Sequence, residues 1–132
     1  MSRRMSCALT IDAVRDRSKT VTRRHVDTWR TLKPGDRLTL IEKGMGLPKG
    51  ATQVVLAEVE VADVRIEPIT LMSSDIRYGR QEVALEGFPG HDPVTWVEWW
   101  ARSHKVPLGY IACAPPLCRR IEWRYIDEER AA

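Results

Sequence analysis

The sequence has little of what marks a disulfide-stabilised, zinc-binding or membrane protein. Its three cysteines, Cys7, Cys113 and Cys118, are odd in number and contain no C-x-x-C pair, which fits neither a disulfide framework nor a four-ligand zinc site. No apolar run approaches the roughly 20 residues that a membrane-spanning helix needs, and the cationic N-terminus lacks the apolar stretch of a signal peptide. We therefore expect a cytoplasmic protein with reduced, mostly buried thiols, no membrane contact, and neither metal nor cofactor.

Length and composition favour one globular domain. The chain has 132 residues, of which 43% are apolar and 30% charged, and it contains no repeat or low-complexity linker. A chain of this size buries most of its surface as a single unit, so we expect one domain over residues 1–132.

Charge is distributed unevenly along the chain. Residues 1–50 contain 12 Lys/Arg and 5 Asp/Glu, a balance of +7, whereas residues 51–132 carry a balance of −4. An excess of cations in one half favours an anionic partner.

Local patterns predict an α+β fold. A capped helix from Thr10 to about Ser18 precedes an alternating strand at residues 20–24, and a Pro-Gly turn leads into a strand with Leu38 and Leu40 on one face. A β-rich run over residues 52–67 ends at Pro68. The final segment R-R-I-E-W-R-Y-I alternates as a strand that is apolar on one side.

Helices are predicted between the last two strands. Ser73 or Ser74 caps a short helix near Asp75, and R-Q-E-V-A-L-E-G forms further turns closed by Gly87. Asp92 and Pro93 begin another helix, in which three tryptophans are spaced by three and four residues. We expect that tryptophan face to pack in the core rather than stack on bases; it comprises Trp96, Trp99 and Trp100.

The order of these elements is similar to that of a known family. The helix, K-T-V-T-R-R, the L-K-P-G-D turn, the long β run, E-G-F and the final R-I-E-W-R-Y strand resemble the ASCH (activating signal cointegrator homology) family of the PUA-like superfamily, from about Cys7 to Ile126. The G-L-P-K-G and E-G-F-P-G segments resemble bacterial and bacteriophage members. The resemblance implies a small β-barrel of about five to six mainly antiparallel strands with flanking helices, and a cleft near K-T-V-T-R-R.

The resemblance also implies nucleic-acid or nucleotide binding, related to RNA. Members of the family bind RNA or DNA, a few bacterial ones hydrolyse amides such as N4-acetylcytidine, and a ribonuclease activity is attributed to another. The expected partner is RNA, single-stranded DNA or a modified nucleoside. Base stacking is expected from Trp29. Phosphate contacts are expected from the cations Lys19, Arg23, Arg24, Lys43 and Lys49.

Three residues match the active site of the amidohydrolase members, which use a lysine, a threonine three positions later and a glutamate before G-F. Lys19, Thr22 and Glu86 stand at these positions. A threonine hydroxyl needs a base to take its proton, and a lysine serves only if desolvation depresses its pKa. Glu86 would then pass a proton to the leaving amine, while Arg23 or Arg24 stabilises the oxyanion or holds an anionic substrate.

Strand alternation separates the two arginines of this segment. Thr22 and Arg24 are expected on one face, and Arg23 on the other, toward a different partner such as an internal carboxylate. Purely structural roles are also compatible with each catalytic candidate. The sequence therefore leaves open a binding module, a hydrolase, a nuclease and a protein-interaction domain.

Overall fold

The fold is a five-stranded sheet with helices packed against it. The computed structural model describes residues 3–44, 46–107 and 115–126. Within these ranges the chain has an α+β fold in which the sheet curls into a half-barrel. The elements in chain order are β1 (Arg3–Ser6), α1 (Ile11–Arg15), β2 (Val21–His25), β3 (Arg37–Ile41), β4 (Val55–Pro68), α2 (Leu71–Ser74), α3 (Ile76–Leu85), α4 (Pro93–Ser103) and β5 (Leu117–Tyr125).

The sheet has the strand order β1-β3-β4-β5-β2. β1 pairs with β3 in parallel, and the other three pairings are antiparallel, so the expected small, mainly antiparallel barrel-like sheet is confirmed. The long strand β4 lies at the centre, and its register against β5 shifts between Val61 and Asp63. A bulge of this kind bends the strand and increases its twist, which allows the sheet to curl.

Two apolar clusters form the core. The first lies on the sheet and contains buried residues of β3, β4 and β5, among them Leu38, Val59 and Ile121. The second lies under α2, α3 and α4 and contains Trp96 and Trp100, as the sequence predicted for the tryptophan face. The part of the chain that the structure describes contains no helix long and apolar enough to cross a bilayer.

The helix boundaries differ from the sequence prediction at two helices. α1 ends at Arg15 rather than near Ser18, and the predicted N-cap Thr10 makes no side-chain capping hydrogen bond.

The cap of α3 also differs from the prediction. α3 is a single helix capped by Asp75, whose Oδ1 accepts a hydrogen bond from the Tyr78 backbone N at 3.2 Å. Ser73 and Ser74 do not cap it, because they belong to α2, and the Ser73 hydroxyl donates to the carbonyl of Thr70 at 3.0 Å. Asp92 caps α4 as predicted, accepting from the backbone N of Thr95 at 3.0 Å.

The cysteines also follow the expectation where they are described. Cys7 and Cys118 are free and buried, and burial raises the pKa of Cys118 to about 12. Cys113 lies outside the described residues.

Close packing of α3 generates a first prediction. A Cβ at Gly79 would lie 1.9 Å from the Met72 carbonyl oxygen and 2.8 Å from the Pro93 Cβ. Gly79→Ala must therefore push α2 and α4 away from α3. We expect it to lower the free energy of unfolding by about 1–3 kcal/mol. Urea unfolding followed by tryptophan fluorescence measures the change.

Gly44→Ala is the matched control, since a Cβ there meets its nearest atom at 3.5 Å, an ordinary contact. Equal unfolding midpoints for the two variants would contradict this account of α3 packing.

Candidate functional site

A cavity of about 330 Å³ lies beside β2. Its walls come from residues 6–10, the beginning of β2, the turn after α3 and one face of α4. Five residues predicted for the site line it: Lys19, Thr22, Arg23, Arg24 and Glu86. The structure thus brings together residues 19–24 and Glu86, which are more than 60 positions apart in the sequence.

The remaining predicted binding residues do not line this cavity. Trp29 packs against the first core cluster, and the Arg3 guanidinium lies over its ring at 4.6 Å. Lys43 and Lys49 are exposed in the connection between β3 and β4. Their predicted contacts with nucleic acid would therefore require a surface separate from the cavity.

Lys19 is almost fully enclosed at the back of the cavity, with 3% of its surface exposed. Its Nζ donates to the carbonyls of Val21 at 2.9 Å and Glu86 at 2.6 Å, and it lies 3.6 Å from Oε1 of the Glu86 carboxylate. Burial lowers the pKa of Lys19, while the Glu86 carboxylate opposes that shift. A neutral amine has two N–H bonds and one lone pair. The two carbonyls can therefore occupy both N–H groups of the neutral form and leave its lone pair for a proton.

Thr22 and Arg24 lie side by side in the cavity wall. Thr22 is buried, and its Oγ1 accepts a hydrogen bond from Arg24 Nε at 3.2 Å. Arg24 is half-buried and is fixed by a second bond, from Nη2 to the Ser6 carbonyl at 2.8 Å. Because Arg24 donates to the hydroxyl oxygen, the hydroxyl proton stays available to a base, and the cation favours negative charge developing on that oxygen.

Arg23 is committed to internal carboxylates, the alternative that strand alternation suggested. Its Nη1 donates to Glu86 at 3.1 Å, and its Nη2 donates to Glu67 at 2.7 Å and Glu82 at 2.6 Å. Burial disfavours the charge, yet the carboxylates of Glu86, Glu82 and Glu67 outweigh it and raise the pKa of Arg23. Arg23 borders the cavity with both Nη atoms engaged, so Arg24 is the better placed of the two to bind a ligand.

Sequence reasoning missed the other half of this cluster. Arg120 of β5 donates from Nε to Glu82 at 2.6 Å, and Tyr78 donates to Glu67 at 3.0 Å. The alternating pattern of β5 indicated an apolar face only on the side of Ile121, but Arg120 on the other face is also buried, at 3% exposure. β2 and β5 place Arg23 opposite Arg120, and two adjacent buried arginines require carboxylates between them.

Aromatic side chains from α4 and from the turn before it also line the cavity. Trp96 and Trp100 are buried, whereas Trp99 and Phe88 are half-buried, with ring centroids 5.3 Å apart. His104 also lines the cavity and stacks on Trp100. Phe88 had appeared in the sequence only as part of E-G-F, and the isolated His104 belonged to no motif.

Metal binding finds no support in the described ranges, where no group of three or more His, Cys, Asp or Glu is gathered as a metal site.

Comparisons with known proteins bear on the fold. No family model matches the sequence, and no curated protein matches it at a significant level. Among solved structures the chain is similar to protein EF3133 from Enterococcus faecalis V583, described as a DUF984 protein, with a TM-score of 0.59 and 17% identity over 92% of this chain and 71% of that chain. At this identity the likeness shows a shared small-barrel fold and nothing about chemistry.

The ion cluster generates a second prediction. Glu82 is fully buried and accepts from both Arg23 and Arg120. Glu82→Gln leaves the shape nearly unchanged but removes the fully buried carboxylate that Arg23 and Arg120 share, so we expect a loss of about 3–5 kcal/mol in the free energy of unfolding. The control is Glu60→Gln, which breaks a partly exposed pair with Arg124 and should cost about 1 kcal/mol or less.

The effect of Glu82→Gln should depend on pH. Burial opposes ionisation of Glu82, but hydrogen bonds from Arg120 and Arg23 outweigh it and lower the pKa of the carboxyl group. Its stabilisation is therefore complete above the unfolded-state pKa of about 4.3 and is lost as the pH falls through the folded-state value. The stability difference between wild type and variant should shrink below about pH 4; a difference that stays constant there would contradict the assignment.

Proposed function

We propose that this chain is an ASCH-type protein with a PUA-like fold, and that it binds a modified nucleoside in the cavity and hydrolyses an amide bond on its base. One observation carries the proposal: Lys19, Thr22 and Glu86 line one concave cavity of about 330 Å³. Ligand pockets for small molecules begin at about 300 Å³. A space of this size suits one nucleoside better than a folded polymer.

The chemistry follows from the environments of the three residues. Neutral Lys19 takes the hydroxyl proton of Thr22, whose oxygen then attacks the acyl carbon. The resulting ammonium faces the Glu86 carboxylate, which lies 3.6 Å from Nζ. The C–N bond breaks as the proton passes through Glu86 to the leaving amine, and the acyl group remains on Thr22 as an ester.

Two further features of the cavity fit such a substrate. Arg24 already donates to Thr22 Oγ1 at 3.2 Å and is placed to stabilise negative charge during the attack. Phe88 and Trp99 line the cavity and are half-buried, so an aromatic face can stack on a base. The resemblance to the amidohydrolase members supports N4-acetylcytidine as the first substrate to test.

The third prediction concerns hydrolysis. Purified protein should convert N4-acetylcytidine, or another member of a panel of acylated nucleosides, to the free amine. Chromatography measures the amine that is formed. Thr22→Val keeps the side-chain shape and removes the nucleophile, so kcat should fall at least about 100-fold, and Lys19→Met should have a similar effect.

Thr52→Val serves as the control, because Thr52 is exposed in the connection before β4 and does not line the cavity. Lack of turnover across the panel by the folded wild-type protein, or full activity of Thr22→Val, would exclude this hydrolase.

A second candidate is recognition of single-stranded RNA or DNA with one base inserted into the cavity. The observation that favours it is Arg24, a half-buried cation in the cavity wall whose Nη1 has no hydrogen-bond acceptor among the residues that the structure describes. A phosphate next to the inserted base would satisfy that group. The +7 balance of residues 1–50 also favours a polyanionic partner.

The fourth prediction separates this candidate from a free nucleoside site. Fluorescence anisotropy with short single-stranded RNA should show affinity that decreases with salt, and Arg24→Gln should reduce the slope of log K against log salt by about 0.7, the value for one phosphate contact on a single strand. Arg77→Gln, at an exposed position of α3, should leave that slope unchanged. No binding at low salt, or equal slopes for both variants, would exclude this mode.

A further inference from the structure

His104 is held in one orientation at the edge of the cavity. It is the residue that follows α4, it is half-buried, and its ring lies 4.1 Å from that of Trp100 at an interplanar angle of 22°. Its Nδ1 lies 2.8 Å from the carbonyl oxygen of Trp100. Stacking and hydrogen bonding together fix the imidazole against α4.

The hydrogen bond also fixes which nitrogen carries the proton. A carbonyl oxygen only accepts, so Nδ1 must donate, and the lone pair of the neutral ring then lies on Nε2. His104 therefore offers a single basic nitrogen, and its half-buried ring is one of the groups that line the cavity.

Trp100 links this histidine to the strand that carries the nucleophile. The indole N–H of Trp100 donates to the Arg23 carbonyl at 3.0 Å, and Arg23 directly follows Thr22. The same side chain thus holds His104 on one side and β2 on the other.

The surroundings of His104 favour the neutral imidazole. Burial lowers the pKa of His104, and the nearby Arg24 and His25 of β2 lower it further, while the Trp100 carbonyl and the Glu86 carboxylate oppose the shift. A neutral ring is the form that accepts a proton.

The proposed hydrolase needs a base that water can reach. Hydrolysis of an ester on Thr22 begins with a water molecule that loses a proton. Lys19 is 3% exposed and is enclosed by two carbonyls and a carboxylate, whereas His104 lines the same cavity from the end of α4 and is only half-buried. Water entering the cavity therefore has access to His104.

The role of His104 rests on the proposed hydrolase function. We propose that His104 is the general base of the second half-reaction, in which water hydrolyses the ester on Thr22. Its Nε2 takes a proton from water, and the resulting hydroxide forms a bond to the acyl carbon of the ester. The C–O bond to Thr22 then breaks, and the imidazolium returns its proton to Thr22 Oγ1. A carboxylic acid leaves, and both side chains regain their starting states.

The fifth prediction uses His104→Asn, whose amide N–H can still donate to the Trp100 carbonyl while Nε2 is lost. Mixed rapidly with N4-acetylcytidine, or with whichever acylated nucleoside the wild type hydrolyses, the variant should release about one equivalent of amine in a burst, because acylation of Thr22 remains intact. Steady-state turnover should then be at least about 100-fold slower than in wild type. Mass spectrometry of the intact variant should show an acyl group retained on the protein, and peptide mapping should place that group on Thr22.

Controls separate this role from a structural one. Thr22→Val combined with His104→Asn should show neither burst nor acylation, and His91→Asn, an exposed histidine outside the cavity lining, should behave as wild type. Burial, Arg24 and His25 lower the pKa of His104, so wild-type kcat should fall only in the acid range below the ordinary histidine pKa of about 6.5. His104→Asn should lack that acid limb.

The outcomes distinguish the two proposals. No turnover by wild type overturns the hydrolase itself and this inference with it. An active wild type with an equally fast His104→Asn variant, or with a variant that loses activity without acyl-Thr22, overturns only the role of His104.

Discussion

The contact between Arg23 and three carboxylates is the interaction on which the arrangement of this fold depends. Arg23 belongs to β2, Glu67 to the end of β4, Glu82 to α3 and Glu86 to the turn after it. Each isolated buried ion would cost several kcal/mol, so the cluster is tolerable only when its charges balance and its hydrogen bonds are made. In the described part of the chain, the buried charged groups are three cations and three carboxylates, namely Lys19, Arg23, Arg120, Glu67, Glu82 and Glu86. Joining an edge strand to the helical layer in this way fixes where the cavity forms.

The same balance bears on the reactivity of Lys19. Burial disfavours its ammonium form, yet a neutral Lys19 leaves the six-member cluster with one excess negative charge. These opposing effects bring the free energies of the two protonation states closer together than in water, which is the condition for a lysine to act as a base near neutral pH. Glu86 connects cluster and cavity, since one of its oxygens accepts from Arg23 and the other lies near Lys19. The structural role of these residues and the catalytic role proposed for them therefore depend on one electrostatic arrangement.

Local sequence patterns predicted the elements of this fold that are determined by interactions between residues close in sequence. Alternation identified β2, β4 and β5, and the Asp92-Pro93 pair marked the start of α4. The cap of α3 was misassigned because serine and aspartate compete for the same role, and the choice depends on where α2 ends. The burial of Arg120 was invisible because it follows from the register between β2 and β5, whose strands are separated by about 90 residues. The family resemblance supplied Lys19, Thr22 and Glu86, whereas the commitment of Arg23 to three glutamates needed the tertiary structure.

Helix α4 shows how one periodic pattern builds both a core and a cavity wall. Residues spaced by three and four share a face, but that face is about 100° wide or more, so its members need not meet the same neighbours. Trp96 and Trp100 point into the second core, and Trp99 stands at its margin, half-buried beside Phe88. Trp100 adds a polar contact, its indole N–H donating to β2, which locks the helix against the strand that carries Thr22. The tryptophan face therefore belongs to the core and also lines the cavity, because Trp96, Trp99 and Trp100 are all among the cavity-lining residues.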